Sequence, residues 1–521
     1  MKLIVLHHHY RPGGIRRVIE LAAPWIVRSA REPVEELILA GGEPPDLDWQ
    51  ALFARNIRPA TVRYFIDGSF SYFSEQKKLP RQIARNIQSA LDSLFDSIEP
   101  DKTVVWYHNP GIARNLLLTE ALARACHRRD LRLLFHHHDW WFDNRWLRWA
   151  ELRRSGFATL SETARSVFPP LPNVQHATIN EEDALRLKKF FPGRAHWIPN
   201  PAHNEPMAKF GRTRFARRWL QEKLESGNDP IWILPCRVLR RKNLAEALLL
   251  TRWLRPSAWL VVTGGPSSAD EERYAHRLVQ TAEERRWKFQ LGLLRGPEPQ
   301  KPSIPELLAA SETVLLTSLQ EGFGLPFLEA AAAHRPLIAR QISNIAPDLR
   351  RFGFRFPYAY QELLIDPALF DWNAERKRQS ELFSAWLRQL PRTLRPAVGR
   401  PPVLESTDLP RPVPFSRLTL TAQLEVLCAP VETSWNACAR LNPFLRRWRR
   451  AIAADGLRPT HWPQRADSWL SGLAYGRRFW TALAAAAQTP RPPAAVAAQQ
   501  SFLRDKLAAG NLYPLLWSRD T

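Results

Sequence analysis

An apolar, β-branched run, Thr313-Val314-Leu315-Leu316-Thr317-Ser318, leads into Glu321-Gly322-Phe323-Gly324-Leu325-Pro326-Phe327-Leu328-Glu329. The run has the length and residue types of a buried strand. Pro326 suits the first turn of a helix, and Leu328 to Ala333 continue it with strong helix formers. A buried strand, a Gly-containing loop and a helix start, in that order, make an α/β fold the expectation. In an open α/β sheet such a corner faces the ligand crevice at the carboxyl ends of the strands. Amides of Gly322, Phe323 and Gly324 there suit anionic or hydroxyl oxygens. Glu321 is expected in the loop and Glu329 in the first helical turn. Carboxylates accept hydrogen bonds only, so two of them beside an anion-friendly helix end suit a ligand with both hydroxyls and phosphate, such as a sugar nucleotide.

The same punctuation recurs along the chain. Lys2 to Leu6 reads as a strand, followed by Gly13-Gly14 and a helix whose first turn carries Arg16 and Arg17. Strands are expected at Val34–Ala40, Thr61–Ile66, Thr103–Tyr107 and Leu131–Phe135, with an amphipathic helix from Pro80 to Ile98, and Ala177-Thr178-Ile179-Asn180 and Ala195 to Pro201 close the first half. The strand at 103–107 delivers His108-Asn109-Pro110-Gly111, and the strand at 131–135 opens into His136-His137-His138-Asp139-Trp140-Trp141-Phe142-Asp143. The triple-histidine runs His7–His9 and His136–His138 both fall at strand ends and should face one cleft. Consecutive side chains point different ways from an extended backbone, so neither run is a ready-made ligand set, and no metal is expected. Asp46-Leu47-Asp48 lies in a Pro-flanked loop and reads as a solvated turn. Trp140, Trp141 and Phe142 suit stacking on a sugar or packing in the core. A second α/β unit starts at Ile231–Pro235, continues through Cys236-Arg237-Val238-Leu239-Arg240-Arg241-Lys242-Asn243 to a helix at Leu244–Leu254, and includes a strand and turn from Trp259 to Gly264-Gly265-Pro266.

Four of these motifs, in this order, resemble the family 4 glycosyltransferases (glycosyltransferase group 1): Gly13-Gly14, Arg237 with Lys242, the turn at Gly264, and Glu321 followed eight positions later by Glu329 with Gly-Phe-Gly-Leu-Pro inside. Ile198-Pro199-Asn200-Pro201 is similar to the family's crossing point between domains, with Pro201 in place of Gly. Cys236 likewise stands where Gly is usual, and His334-Arg335 replaces a small residue before Pro336. The resemblance covers about residues 1–350. It implies an α/β, GT-B fold of two Rossmann-like domains facing a cleft, with residues 1–200 on the acceptor side, 201–228 a linker with one helix and 229–427 binding the nucleotide sugar. It also implies a retaining, metal-independent hexosyltransferase that moves a sugar from a nucleotide-diphosphate sugar to a carbohydrate or lipid-linked acceptor, with no cofactor. In that reading Glu321, His138, Arg237 and Lys242 are catalytic. Glu329, Gly322, Phe323, Gly324, Leu325, Gly13, Gly14 and Gly264 hold the donor, while His108, Asn109 and Asp139 lie on the acceptor side. A glycosyl phosphorylase and a non-catalytic basic binding protein on the same scaffold are the alternatives.

Composition adds limits. At 521 residues the chain is too long for one core, and 45% hydrophobic with 24% charged residues is an ordinary globular balance. Cys126, Cys236, Cys428 and Cys438 have neither metal-ligand nor disulfide-scaffold spacing. No run of about 18 apolar residues occurs, so a cytoplasmic protein is expected. The net charge of +23 implies attraction to polyanions, with an anionic membrane surface as one partner and no specific nucleic-acid motif. A Pro- and Arg-rich stretch at about 391–415 reads as irregular. Residues 428–521 read as one basic helical extension, since 13 Lys and Arg face only 5 Asp and Glu there.

Overall fold

The computed structural model describes every residue except 144–145, 205–208, 267, 297, 299, 406–408, 455, 486–493 and 518–521. The chain forms two units. The first comprises 1–203, 389–391 and 465–506, and the second 204–388, 392–464 and 507–521.

The first unit is built on seven parallel strands: β1 (Lys2–Leu6), β2 (Glu36–Gly41), β3 (Thr61–Ile66), β4 (Thr103–His108), β5 (Arg132–His137), β6 (Val174–Thr178) and β7 (Ala195–Trp197). Their order is β3-β2-β1-β4-β5-β6-β7, so the sheet grows outward on both sides of the β1–β4 junction. That reversal of strand order is the point at which doubly wound sheets open a ligand crevice. Central strands such as β1 and β4 are apolar and buried because helices cover both faces of a parallel sheet. One cover is the helix Gly14–Ser29, with Val18, Ile19, Ala22, Ala23 and Ile26 turned inward. Against it lies the helix Gly472–Ala484, from the far end of the chain. A Cβ on Gly472 would stand 1.9 Å from the Trp25 ring, and one on Gly476 would stand 2.7 Å from the Trp25 carbonyl oxygen. Glycine at these two positions permits the backbone approach. Phe479, Tyr475 and Ala482 then enter one core with Ile19, Ile26, Val5 and Trp106.

The second unit repeats the plan with β8 (Ile231–Leu234), β9 (Trp259–Val262), β10 (Phe289–Leu291), β11 (Thr313–Leu316), β12 (Leu337–Arg340) and β13 (Tyr358–Tyr360), ordered β10-β9-β8-β11-β12-β13. Its order reverses between β8 and β11, the two strands that deliver the basic loop and the Glu321 loop. Both sheets are thus Rossmann-like, as the resemblance implies.

Several expectations change. The helix expected from Pro80 to Ile98 ends at Leu94, and Ser97 takes a left-handed turn (φ 58°). The strand expected to stop at Phe135 runs on through His136 and His137, so these histidines are strand residues rather than loop residues. Glu329 is not in the first turn of its helix, Leu325–Ala332, but at its fifth position. The one helix expected in 201–228 is Phe210–Leu224, but it belongs to the second unit and pairs Arg212 with Glu306 there. Residues 428–521 are not one extension: 465–506 build into the first unit, and 428–464 with 507–521 into the second. Asp46 is a helix cap, its carboxylate accepting from the Trp49 amide at 2.9 Å. Parts of the Pro-rich stretch and of 428–521 lie outside the described residues.

Candidate functional site

At the β8–β11 junction two loops meet. The loop after β8 carries Arg237, Arg240, Arg241 and Lys242, and ends at Asn243, whose left-handed backbone (φ 48°) starts the helix Leu244–Leu254. The loop after β11 carries Thr317 to Gly324. Thr317 Oγ1 donates to the Lys242 and Asn243 carbonyls at 2.9 and 3.1 Å, and the Leu319 amide donates to the Arg241 carbonyl at 2.7 Å. Arg241 donates to the Gln320 carbonyl at 2.8 Å and to the Glu321 carboxylate at 2.9 Å. Lys242 pairs with the other oxygen of Glu321. Asn344 holds the Glu321 carbonyl at 3.0 Å.

Glu321 is therefore fixed at both its backbone and its carboxylate. Burial alone would raise its carboxyl, but the Lys242 and Arg241 charges outweigh burial and hold it down at about 2. Arg237 behaves differently. It is exposed and, among the described residues, has no ion-pair partner. It stands against the turn after β9, where a Cβ on Gly264 would lie 2.9 Å from the Arg237 Cα. Gly264 thus lets two loops touch at their backbones. Burial pushes the neighbouring Cys236 thiol up to about 11, which leaves it protonated and a poor nucleophile.

Gly324 precedes the helix Leu325–Ala332 at φ 84°, and a Cβ there would stand 2.7 Å from the Ile345 side chain. Both facts require glycine. Phe323 is buried, so its amide rather than its ring is what it offers a ligand. Leu325 is half-buried at the helix start, and no side chain caps that helix.

In the first unit the strand ends at β1, β4 and β5 gather histidines. The register sets His108 directly beside His136. The two-residue period of a strand then puts His138 on the same side as His136 and turns His137 to the other. His137 meets His176 across the sheet face at 3.1 Å, whereas His108 Nδ1 lies 3.2 Å from His138 Nε2. His7 Nδ1 approaches the His108 carbonyl at 3.3 Å. His136 Nδ1 lies 3.1 Å from the Tyr475 hydroxyl and 3.4 Å from the Trp106 indole nitrogen. Burial pushes His136 and His137 down to about 3, and takes His7, His108, His138 and His176 well below the ordinary imidazole value, so all six are neutral.

Asn109 sits beside this group in a left-handed conformation (φ 57°), costly for a residue with a Cβ. Its side chain accepts from the His138 and Asp139 amides at 3.3 and 2.9 Å and donates to the Asp139 carboxylate at 3.2 Å. The two loops after β4 and β5 are thereby joined, and Gly111 makes room, since a Cβ there would lie 2.8 Å from the Asp139 carbonyl. The β5 loop is braced from behind. Trp140 donates to Asp183 at 2.9 Å and Lys506 pairs with Asp143 at 2.8 Å.

The structure thus brings together Arg237 with Gly264, Lys242 with Glu321, and His108 with His138, Asn109 and Asp139. Gly13 and Gly14 lie apart on an exposed helix start, where a Cβ on Gly14 would meet nothing within 4 Å. Arg16 and Arg17 in that turn are paired with Asp46 and Glu20. Glu329 is half-buried on its helix. In the sequence Arg241 is hidden in a row of cations, and His136 in a run whose consecutive side chains point different ways from the backbone.

Residues 216–353 match the family model described as Glycosyl transferases group 1, which bears out the resemblance drawn from the motifs. The chain is 26% identical over 362 residues to a mannosylglucosyl-3-phosphoglycerate synthase of Petrotoga mobilis, covering 66% of this chain and 65% of that protein. It is 24% identical over 325 residues to a mannosylglucosylglycerate synthase of Thermotoga maritima, covering 56% and 69%. It therefore spans just under two thirds of the length of the Petrotoga protein. Among solved structures, the fold is similar to that of sucrose-phosphate synthase from Thermosynechococcus elongatus, at TM-score 0.51 and 13% identity, over 92% of this chain and 97% of that one.

Proposed function

We propose that this chain is a glycosyltransferase of the group 1 kind, moving a sugar from a nucleotide-diphosphate sugar to an acceptor hydroxyl with retention. The observation that carries this reading is the β8–β11 junction, where a buried carboxylate is held by two cations and the same basic loop presents an exposed Arg237 with no ion-pair partner among the described residues. In the transfer, the bond from the sugar C1 to the diphosphate oxygen breaks and the acceptor oxygen bonds to C1. The acceptor proton leaves with the diphosphate. Negative charge grows on the diphosphate as its bond to C1 lengthens, so cations fixed there stabilise the transition state more than the ground state. Arg237 would grip the diphosphate, and Lys242 would turn to it from Glu321. Glu321, then released from one partner, would accept from sugar hydroxyls, with Glu329 assigned to the ribose hydroxyls and the amides of Gly322 to Leu325 to the remaining oxygens. These side-chain cations do the work that a divalent ion does in metal-dependent transferases.

His138 is assigned to the transferred sugar, with Nε2 engaged by His108 and Nδ1 left for a hydroxyl. His108, Asn109 and Asp139 are assigned to the acceptor side. The names of the Petrotoga and Thermotoga relatives put glucosylated glycerate and phosphoglycerate first among acceptors to try, and the net charge of +23 favours an acidic one.

The test is mass-spectrometric detection of product from a panel of nucleotide sugars and acceptors, without inorganic phosphate or added divalent ion. A glycosylated acceptor and free nucleoside diphosphate in equal amounts are expected. Donor binding with no turnover on any acceptor would turn the reading toward a binding protein, and turnover only with phosphate present toward a phosphorylase.

A further inference from the structure

The histidine group at the ends of β4 and β5 holds His108 and His138, which the proposed transfer uses singly, together with His136, and the three make a further geometry. His108, His136 and His138 each offer a ring nitrogen, and the three nitrogens lie within 4.8 Å of one another. The ring centroids form a near-regular triangle of 4.6, 5.4 and 5.4 Å. In a tetrahedral site with bonds of about 2.0–2.1 Å, ligand nitrogens stand about 3.4 Å apart. The His108 and His138 pair, at 3.2 Å, already has that spacing. The widest separation in the set exceeds that spacing by about 1.4 Å at most, within the reach of a ring rotation.

The cluster is also under-bonded. His108 Nε2 and His136 Nε2 are buried and make no hydrogen bond of normal geometry. Such orphaned buried groups are costly and call for an explanation. The Trp106 indole donates to His136 Nδ1 at 3.4 Å, and the Tyr475 hydroxyl stands 3.1 Å from the same nitrogen. Loading a metal on Nε2 would move the proton to Nδ1, where the Tyr475 hydroxyl can accept it, as the outer neighbour of a metal-bound imidazole does. No carboxylate belongs to the set, and imidazole nitrogens alone favour borderline transition metals over magnesium or calcium.

We infer that His108, His136 and His138 form a binding site for one divalent transition-metal ion, zinc foremost, seated at the carboxyl ends of β4 and β5 in the first unit. Three protein ligands leave one position of a tetrahedral ion for an outside ligand. The ion would fasten the two loops that Asn109 already joins. The inference shares His108 and His138 with the sugar and acceptor side of the proposed transfer, but its test reads metal binding and not turnover, so either can fail without the other.

The experiment uses the full chain, expressed without a histidine tag. Metal content is measured on the purified protein, and cobalt is titrated into chelator-stripped protein while visible absorption is followed. About one equivalent of saturable cobalt with a ligand-field band is expected. His136→Gln and His108→Gln should abolish the band, and His137→Gln, on the opposite side of the strand, should keep it. Far-ultraviolet circular dichroism checks that each variant is folded, and the wild-type titration decides the matter even where a variant is not. No saturable cobalt in the wild type, or only weak binding of several equivalents, overturns the site. Loss of the band in His137→Gln with retention in His136→Gln would do so equally.

Discussion

A carboxylate paired with two cations inside a fold is sensitive to proton concentration in a defined direction. Folding lowers the Glu321 carboxyl from an ordinary 4.5 to about 2, so its stabilising contribution is complete above about pH 4.5. That contribution fades as pH falls through 2. Glu321→Gln should therefore unfold at lower urea than the wild type at pH 7, with the gap nearly closed at pH 2, as read from denaturation midpoints. The same substitution should lower turnover about a hundredfold, as removal of a preorganised transition-state contact does. Arg237 gives the contrasting case. Being exposed and unpaired, it carries little stability, so Arg237→Ala should leave the melting temperature within about 2 °C. Affinity for nucleoside diphosphates should nonetheless fall about tenfold to a hundredfold by calorimetry, the worth of a charge-assisted hydrogen bond.

Elements show where reading from sequence succeeds and where it stops. The strands β1, β4, β8 and β11 were legible because a parallel strand covered on both faces is a largely apolar run. The far end of β5 was not, since His136 and His137 are polar residues in strand conformation and look like loop. Helix overrun at Pro80–Ile98 has a similar cause: Ile98 keeps the apolar spacing after the backbone has already turned at Ser97. The site was half visible. Glu321, Arg237 and Lys242 lie in recognisable runs, but Tyr475 reaches His136 across 339 positions, and no local pattern encodes such a contact. Two element-scale outcomes follow from geometry. Gly324→Ala must adopt φ 84° and meet Ile345, so it should cost at least about 1–2 kcal/mol in urea unfolding. Lys506→Met would leave Asp143 without its 2.8 Å partner. With both side chains a fifth exposed, the loss should be on the order of 2 kcal/mol, below that of a fully buried pair.

At the scale of the whole molecule, the first unit is discontinuous. Its sheet is complete by Trp197, yet one face of its core is closed by Tyr475, Phe479 and Ala482, and the Trp480 indole donates to the Ile26 carbonyl at 2.9 Å. A fragment ending at residue 203 should therefore aggregate, while supplying 465–506 as a separate peptide should recover soluble protein by size-exclusion chromatography. Among the described residues no helix is long and apolar enough to cross a membrane. The gap from residue 203 to 465 is 262 positions. A ribosome adding roughly 5–20 residues per second needs about 13–50 s to cover it. Throughout that interval the nascent first unit has Ile19 and Ile26 waiting for a helix not yet synthesised, and the order of birth is reversed: the second unit's strands all emerge before the first unit can close.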